Sequence, residues 1–140
     1  MDTGKIILYN LCLIENQSGE ILVQKRLRGL DGYTFPGGKV NIDESVEASI
    51  IREVFEETGL IVENPVYKTM VSFYDSAAKE RRQIFLFKAT KFHGDLIIQN
   101  KEGLHFWCNI EEFLKLKHVD GMSEFLKAYN ACEAEWHYSF

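Results

Sequence analysis

The chain has 140 residues, of which 46% are hydrophobic, and this is enough for the core of one compact domain spanning residues 1–140. Its formal net charge of −5 disfavours an extended nucleic acid as a partner, because such binding needs a basic surface, but it permits a small anion that brings its own cations. The sequence shows no basic-then-apolar leader and no apolar run near the roughly 18 residues that span a membrane, so we expect a cytoplasmic protein without membrane contact. Three cysteines, Cys12, Cys108 and Cys132, form no paired motif and are predicted to be free thiols.

Strand patterns dominate the chain. Residues 6–13 are a nearly continuous apolar run, which is typical of a central strand covered on both faces. A turn at 16–19 leads to residues 20–27, which we predict to be the antiparallel partner of that strand. Further strands are predicted at 61–62, 67–74, 82–90 and 96–98. Their regular spacing around one helical stretch indicates a mixed sheet.

Two helices and an aromatic tail close the chain. A short helix is predicted at 110–116 and a longer amphipathic one at 122–132. The tail at 136–140 is rich in aromatic residues, so we expect it to pack on the domain or on a second subunit rather than extend into solvent. A monomer and a homodimer both fit this pattern.

The main helical stretch is predicted to begin near Glu44, where Asp43 can serve as the N-cap, and to end at Gly59. One side of this helix carries an apolar stripe that needs a core to lie on. The stripe consists of Ala48, Ile51, Val54 and Phe55.

The other side of the helix carries Glu53, Glu56 and Glu57, which are neighbours at spacings of three and four residues. Acids in the last turn oppose the helix dipole and cost roughly 0.3–1 kcal/mol each. A solvated charged face is the simpler interpretation, but such a face usually mixes signs, with acids early and bases late. The cluster therefore indicates a divalent cation site, and its oxygen ligands favour Mg²⁺ or Mn²⁺ over zinc.

The spacing of these residues matches a known motif. From Gly38 to Leu60 the sequence reads G-x5-E-x7-R-E-V-x-E-E-x-G-L and resembles the Nudix box at every defined position. The segment FPGGK at 35–39 resembles the same family, although Asp43 stands where a glycine is common. The resemblance implies the α/β (α+β) class, with a Nudix-type α/β/α sandwich, a central mixed β-sheet and the box helix packed on it.

The resemblance also implies roles for individual residues. Oxygen atoms of five residues would hold Mg²⁺, with Mn²⁺ as a substitute: Gly38, Glu53, Glu56, Glu57 and Glu102. Glu53 is favoured as the general base, Arg52 would fix a glutamate rotamer, and Glu44 would support them from further out. On sequence alone, Glu102 is equally well explained as an acid in a turn.

Six residues are candidates for substrate contacts: Arg26, Tyr33, Phe35, Lys39, Trp107 and Asp120. Arg26 lies in a basic cluster with Lys25 and Arg28, which is either a solvated strand end or a phosphate contact, as in similar MutT-type proteins. The aromatic candidates, together with Phe73, are either walls for base stacking or ordinary core residues. Asp120 would face the edge of a purine.

The resemblance implies Mg²⁺-dependent hydrolysis of a nucleoside diphosphate linked to another group. The F-x-G-D-L turn at 92–96 and the E-x-x-x-x-W stretch at 102–107 are most similar to MutT-type enzymes, which cleave purine triphosphates such as 8-oxo-dGTP to a monophosphate and pyrophosphate. Two alternatives stay open. Pyrophosphate removal from RNA 5′ ends would require a basic groove, and a non-catalytic ligand-sensing domain usually has an eroded box, whereas no acid of the box is missing here.

Overall fold

Ten strands and three helices make up the part of the chain that the computed structural model describes, which is residues 4–27, 31–131 and 135–139. The predictions for Arg28, Cys132 and Phe140 lie outside these residues. The first half contains β1 (Lys5–Ile14), β2 (Ile21–Arg26), β3 (Tyr33–Thr34), β4 (Gly37–Lys39), α1 (Val46–Thr58), β5 (Ile61–Val62) and β6 (Val66–Asp75). The second half contains β7 (Glu80–Ala89), β8 (Phe92–His93), β9 (Gly103–Cys108), α2 (Ile110–Leu114), α3 (Met122–Asn130) and β10 (Glu135–Ser139).

The central sheet has the strand order β10-β6-β7-β1-β4. β1 pairs in parallel with β7 along its full length and antiparallel with β4, while β6 pairs antiparallel with β7 and parallel with β10. The prediction of a central mixed sheet is therefore confirmed. Two smaller sheets, β3-β2-β9 and β5-β8, flank it.

Alternate residues of β1 enter two separate cores. Leu11 packs on the side of α2 and α3 with Phe113 and Phe125, whereas Cys12 packs on the side of α1 with Ile50. This alternation explains why the strand is apolar nearly throughout, because both of its faces are covered. The expected sandwich, with the box helix packed on the sheet, is confirmed. The described cysteines, Cys12 and Cys108, are free, as predicted, and both are buried.

The predicted pairing of β2 with β1 is wrong. A single bridge, Glu15 to Ile21, joins the two segments, after which β2 pairs with β3 and β9. The edge of β1 that β2 would need is taken by β4, with Tyr9 opposite Lys39. Residues 96–98 are also not a strand, although the main chain there accepts a hydrogen bond from His105.

The box helix begins later than predicted. Ser45 is its N-cap, because the Ser45 hydroxyl accepts a hydrogen bond from the Ala48 amide at 3.0 Å, so Asp43 has no capping role and Glu44 precedes the helix. Its end is confirmed, since Gly59 has φ 79° and its amide bonds to the Phe55 carbonyl.

The apolar stripe of α1 is rotated from the prediction. Ile50 and Val54 are buried and Ile51 packs partly against them, but Ala48 is exposed and Phe55 is 50% exposed. None of the described helices is long and apolar enough to cross a membrane.

The C-terminal tail packs on the domain itself. β10 extends the central sheet beside β6, and Trp136 contacts the core beneath α3. The Trp136 indole donates a hydrogen bond to Glu124 at 2.6 Å. Of the two packing partners considered for this segment, the domain is therefore the one observed.

Candidate active site

The glycine turn at β4 brings the main chain against two neighbours. A Cβ atom at Gly37 would collide with the Asn10 carbonyl, and one at Gly38 would lie 2.5 Å from the Glu53 carboxyl group. At Gly37 no side chain fits, because the clash is with main-chain atoms, whereas a side chain at Gly38 would displace the Glu53 carboxylate. The turn therefore places bare backbone directly beside Glu53.

Asn10 holds this turn to the box helix. It is 2% exposed, and its side-chain oxygen accepts a hydrogen bond from the Gly38 amide at 2.9 Å while its amide group donates to the Ser49 hydroxyl at 2.6 Å. The side chain thus fixes the spacing between β1, the glycine turn and α1. Sequence reasoning missed this role, and the only signal was a polar residue inside an apolar strand.

Replacing Asn10 by Leu is expected to lower the free energy of unfolding by about 1–3 kcal/mol, because the half-buried Gly38 amide loses its acceptor and the buried Ser49 hydroxyl loses its donor. Chemical denaturation monitored by circular dichroism would measure the change. Asn130→Leu, on the exposed end of α3, is the matched control and should change stability by less than about 0.5 kcal/mol. Equal effects of the two substitutions would contradict the role of Asn10 in holding the glycine turn to α1.

Glu57 is the most perturbed acid of the site. It is 6% exposed, and its carboxylate accepts a hydrogen bond from the Gly37 amide at 3.3 Å. Burial, and next the charge of Glu53, raise the pKa of Glu57 to about 8, against the smaller opposing effects of the Gly37 amide and Arg26. The pair Glu53 and Glu57 therefore forms a crowded acidic centre.

Arg52 joins the acids of the box. Its guanidinium binds Glu44 at 2.6 Å, Glu53 at 2.9 Å and Glu56 at 3.2 Å, and it donates to the Lys39 carbonyl at 3.1 Å. Hydrogen bonding to Arg52, and next to the Asn41 amide, lowers the pKa of Glu44. Glu44 thus orients Arg52, and Arg52 in turn orients Glu53.

The loop before β9 brings a further acid, Glu102, beside Glu53 and Glu57, and we call this group of carboxylates the acidic end of the site. The side-chain NH2 group of Asn100 donates to the main-chain carbonyl of Glu57 at 2.7 Å, and the side-chain oxygen of Asn100 accepts hydrogen bonds from the main-chain amides of Glu102 and Gly103. This ties Glu102 to the end of α1, where its charge adds to the rise in the pKa of Glu57. Asn100 was also missed from sequence.

These groups border one cleft of about 700 Å³. Of the residues predicted from sequence, the cleft brings together Arg26, Phe35, Gly38, Lys39, Glu53, Glu57, Phe73, Glu102 and Asp120. Phe35 contributes little surface, since its ring is 1% exposed and stacks on Phe113 at 5.0 Å between ring centroids.

Five predicted residues do not border the cleft: Glu44 and Arg52, whose contacts are given above, and Glu56, Tyr33 and Trp107. Glu56 points outward, with 57% of its side chain exposed, and is held by Arg52. Tyr33 packs edge-on against Phe106, and its main chain instead pairs with the segment before Asp120. The prediction for Trp107 as a stacking wall is wrong, because the alternation along β9 sends this ring to the α1 side, where it stacks on Phe92.

The donor set at the acidic end fits a divalent cation. Glu53, Glu57, Glu102 and the Gly38 carbonyl offer hard oxygen atoms, and the charge of Glu53, which after burial is the second cause of the raised pKa of Glu57, is one that a cation would offset. Within the described residues, no three His, Cys, Asp or Glu side chains already converge on one point. Glu56 would join the set only by turning away from Arg52.

Comparison with known proteins gives a consistent assignment. A model of the NUDIX domain matches residues 9–129. The chain is 32% identical over 114 residues to the uncharacterized Nudix hydrolase YvcI of Bacillus subtilis, covering 79% of this chain and 70% of that protein. It is 29% identical over 133 residues to the CTP pyrophosphohydrolase of Escherichia coli, covering 93% and 96%.

A solved structure is similar as well. The MutT protein from Bacillus halodurans superimposes with a TM-score of 0.78 and 28% identity, covering 95% of this chain and 90% of that chain. The shared fold extends well beyond the box, through the central sheet and the closing helices.

Proposed function

Because this chain belongs to the Nudix hydrolase family, we propose that it hydrolyses a nucleoside triphosphate to a nucleoside monophosphate and pyrophosphate with Mg²⁺ as its cofactor. One observation carries the proposal. The acidic pair is held against the bare backbone of the glycine turn, Glu53 beside Gly38 and Glu57 bonded to the Gly37 amide, at one end of a cleft whose volume suits a nucleotide. Mn²⁺ can replace Mg²⁺ at such an oxygen site.

The residues of the chain have separate tasks in this reaction. The bound cation supplies charge compensation for the crowded phosphate oxygens. Glu53 takes a proton from the attacking water, whose oxygen bonds to phosphorus while the anhydride bond between the α- and β-phosphates breaks, which gives the monophosphate and pyrophosphate. Arg52 keeps the Glu53 carboxylate in place, and Arg26 and Lys39 bind phosphate oxygens at the same end of the cleft.

For the substrate we propose an oxidised purine triphosphate such as 8-oxo-dGTP, so that the enzyme cleans the nucleotide pool of the cytoplasm. The MutT-like turn and E-x-x-x-x-W stretch support this choice, and Asp120 at the cleft offers an acceptor to the edge of a purine. CTP is the second candidate, because the alignment with the E. coli CTP pyrophosphohydrolase runs over 133 residues.

A nucleotide panel tests the function. The protein is incubated with Mg²⁺ and with 8-oxo-dGTP, dGTP, CTP, dCTP, ADP-ribose or a 5′-triphosphorylated RNA, and released monophosphate and pyrophosphate are measured. We expect the highest kcat/KM for 8-oxo-dGTP. Preference for CTP would replace the proposed base, and cation binding without turnover of any substrate would favour a ligand-sensing domain.

Glu57 gives the pH dependence of cation binding. Because its pKa of about 8 in the fold exceeds the ordinary glutamate value of 4.5, the cation-free protein holds a proton that the unfolded chain loses, and stability falls as the pH rises between these values. A cation needs the carboxylate, so binding near pH 7 should release about one proton. Titration calorimetry in buffers of different ionisation enthalpy measures this release.

The same cation should raise the melting temperature. At 100 times its dissociation constant it would add about 2.7 kcal/mol of stability, and the gain should be larger at about pH 9 than at about pH 6. Glu57→Gln should lose both the proton release and most of the gain, whereas Glu47→Gln, on the exposed first turn of α1, should keep them. An unchanged melting temperature at saturating Mg²⁺ would count against the site.

A further inference from the structure

Arg82 forms a flat surface at the far end of the cleft. It lies on β7 directly opposite Phe73 on β6, and its guanidinium carbon is 5.7 Å from the centroid of the Phe73 ring, over the ring face. Phe73 is only 7% exposed, whereas the Arg82 side chain is 30% exposed. Both residues border the cleft, but the guanidinium lies over the ring face and is the more exposed of the two, so it offers the larger surface to a ligand.

Two carboxylates hold the plane of this guanidinium. Its Nε donates to Glu80 at 2.7 Å, and an Nη nitrogen binds Asp75 at 3.3 Å. Both partners lie next to Arg82 on the same face of the β6–β7 pair, where Asp75 is opposite Glu80. Because the edge of the group is engaged by these carboxylates, its flat face is what it offers to a ligand.

The strand register sets the distance from the acidic end. Gly38 is opposite Asn10 on β1, and Arg82 is opposite Ile7 on the same strand, so the two sites are two strands apart and offset by three residues. At about 4.8 Å per strand and about 3.3 Å per residue, their Cα atoms are about 14 Å apart. Tyr9 lies between them and also borders the cleft. This separation suits a nucleotide that spans from its phosphates to its base.

We propose that the base of the substrate stacks on the guanidinium face of Arg82, so that Arg82 lies between the base and Phe73. The proposal rests on the proposed function, because it requires the phosphates to bind beside Gly38. Every base has a π face, so this contact favours nucleotides over base-free phosphates without choosing among bases. The choice of base then falls to groups at its edge, such as Asp120.

Binding measurements with two ligands test this contact. The dissociation constants of a non-hydrolysable α,β-methylene nucleoside triphosphate and of inorganic triphosphate are measured with Mg²⁺ for the wild-type protein and for Arg82→Lys. Lysine keeps the charge but has no plane. We expect the wild-type protein to bind the nucleotide more tightly than inorganic triphosphate. Arg82→Lys should weaken nucleotide binding about ten-fold and leave the dissociation constant of inorganic triphosphate unchanged.

Arg81→Lys is the matched control. Arg81 is the preceding residue of β7, and it faces the other side of the sheet, where it contacts Ser72 and Glu135. It should leave both dissociation constants unchanged. Equal weakening of both ligands by Arg82→Lys, or no change in either, would overturn the stacking role while leaving the proposed function standing. Failure of the wild-type protein to bind the nucleotide would overturn both.

Discussion

Replacement of Glu53 by Gln is expected to lower kcat by about 10²- to 10⁴-fold without loss of the fold. The amide has nearly the shape of the carboxylate and can still accept the hydrogen bond of 2.9 Å from Arg52, so the helix and the glycine turn should stay in place. It cannot take a proton from water, and it is a weaker ligand for a cation. Steady-state kinetics on the preferred nucleotide, with circular dichroism as the measure of folding, would test this.

Glu47→Gln provides the control for that experiment. Glu47 lies in the first turn of the same helix, exposed and away from the cleft, so its substitution changes the net charge equally. It should retain wild-type turnover. A Glu53→Gln variant that folds and turns over substrate at a near wild-type rate would show that another group accepts the proton.

The Gly38→Ala substitution is expected to reduce kcat by about 10²-fold. The new methyl group would lie 2.5 Å from the Glu53 carboxyl carbon and one of its oxygens, so the carboxylate must move away from its position beside the turn. A flexible side chain can make that move, and the fold should therefore survive. Kinetics and thermal melting of the same preparation separate the two effects.

A double variant identifies the cause of that loss. If Gly38→Ala acts by displacing Glu53, adding it to Glu53→Gln should lower kcat little further. Multiplication of the two single losses would instead show that the turn contributes to turnover independently of Glu53.

Local patterns predicted the parts of this molecule that depend on neighbours in sequence. The apolar run of β1 and the end of the box helix at Gly59 are both found as expected, because burial period and capping are properties of a few adjacent residues. The start of the helix was not predicted correctly because both Asp43 and Ser45 can serve as N-caps. Only the structure shows which side chain accepts the hydrogen bond from the first turn of the helix.

The features that sequence did not predict depend on contacts between distant segments. β2 does not pair along β1 because β4 occupies that edge, and the residues of β2 alone do not indicate which strand will occupy it. Trp107 was placed at the cleft, although the parity of β9 directs it to the other core. Asn10 and Arg82 acquire their roles only from strand register, which fixes what lies opposite each of them.

The parallel pairing of β1 with β7 affects the order in which helix α1 and the nucleotide-binding cleft form during folding. It joins residues 75 positions apart in the chain, such as Lys5 and Glu80, through ten consecutive partners. Contacts of such long sequence separation form slowly, because a large loop must close first. Asn10 and Arg82 lie on these two strands, so both ends of the cleft form only when β1 pairs with β7, late in folding. During refolding, nucleotide binding should therefore appear at the same time as the β1 amides become protected from hydrogen exchange. The helical circular dichroism signal of α1 should appear earlier.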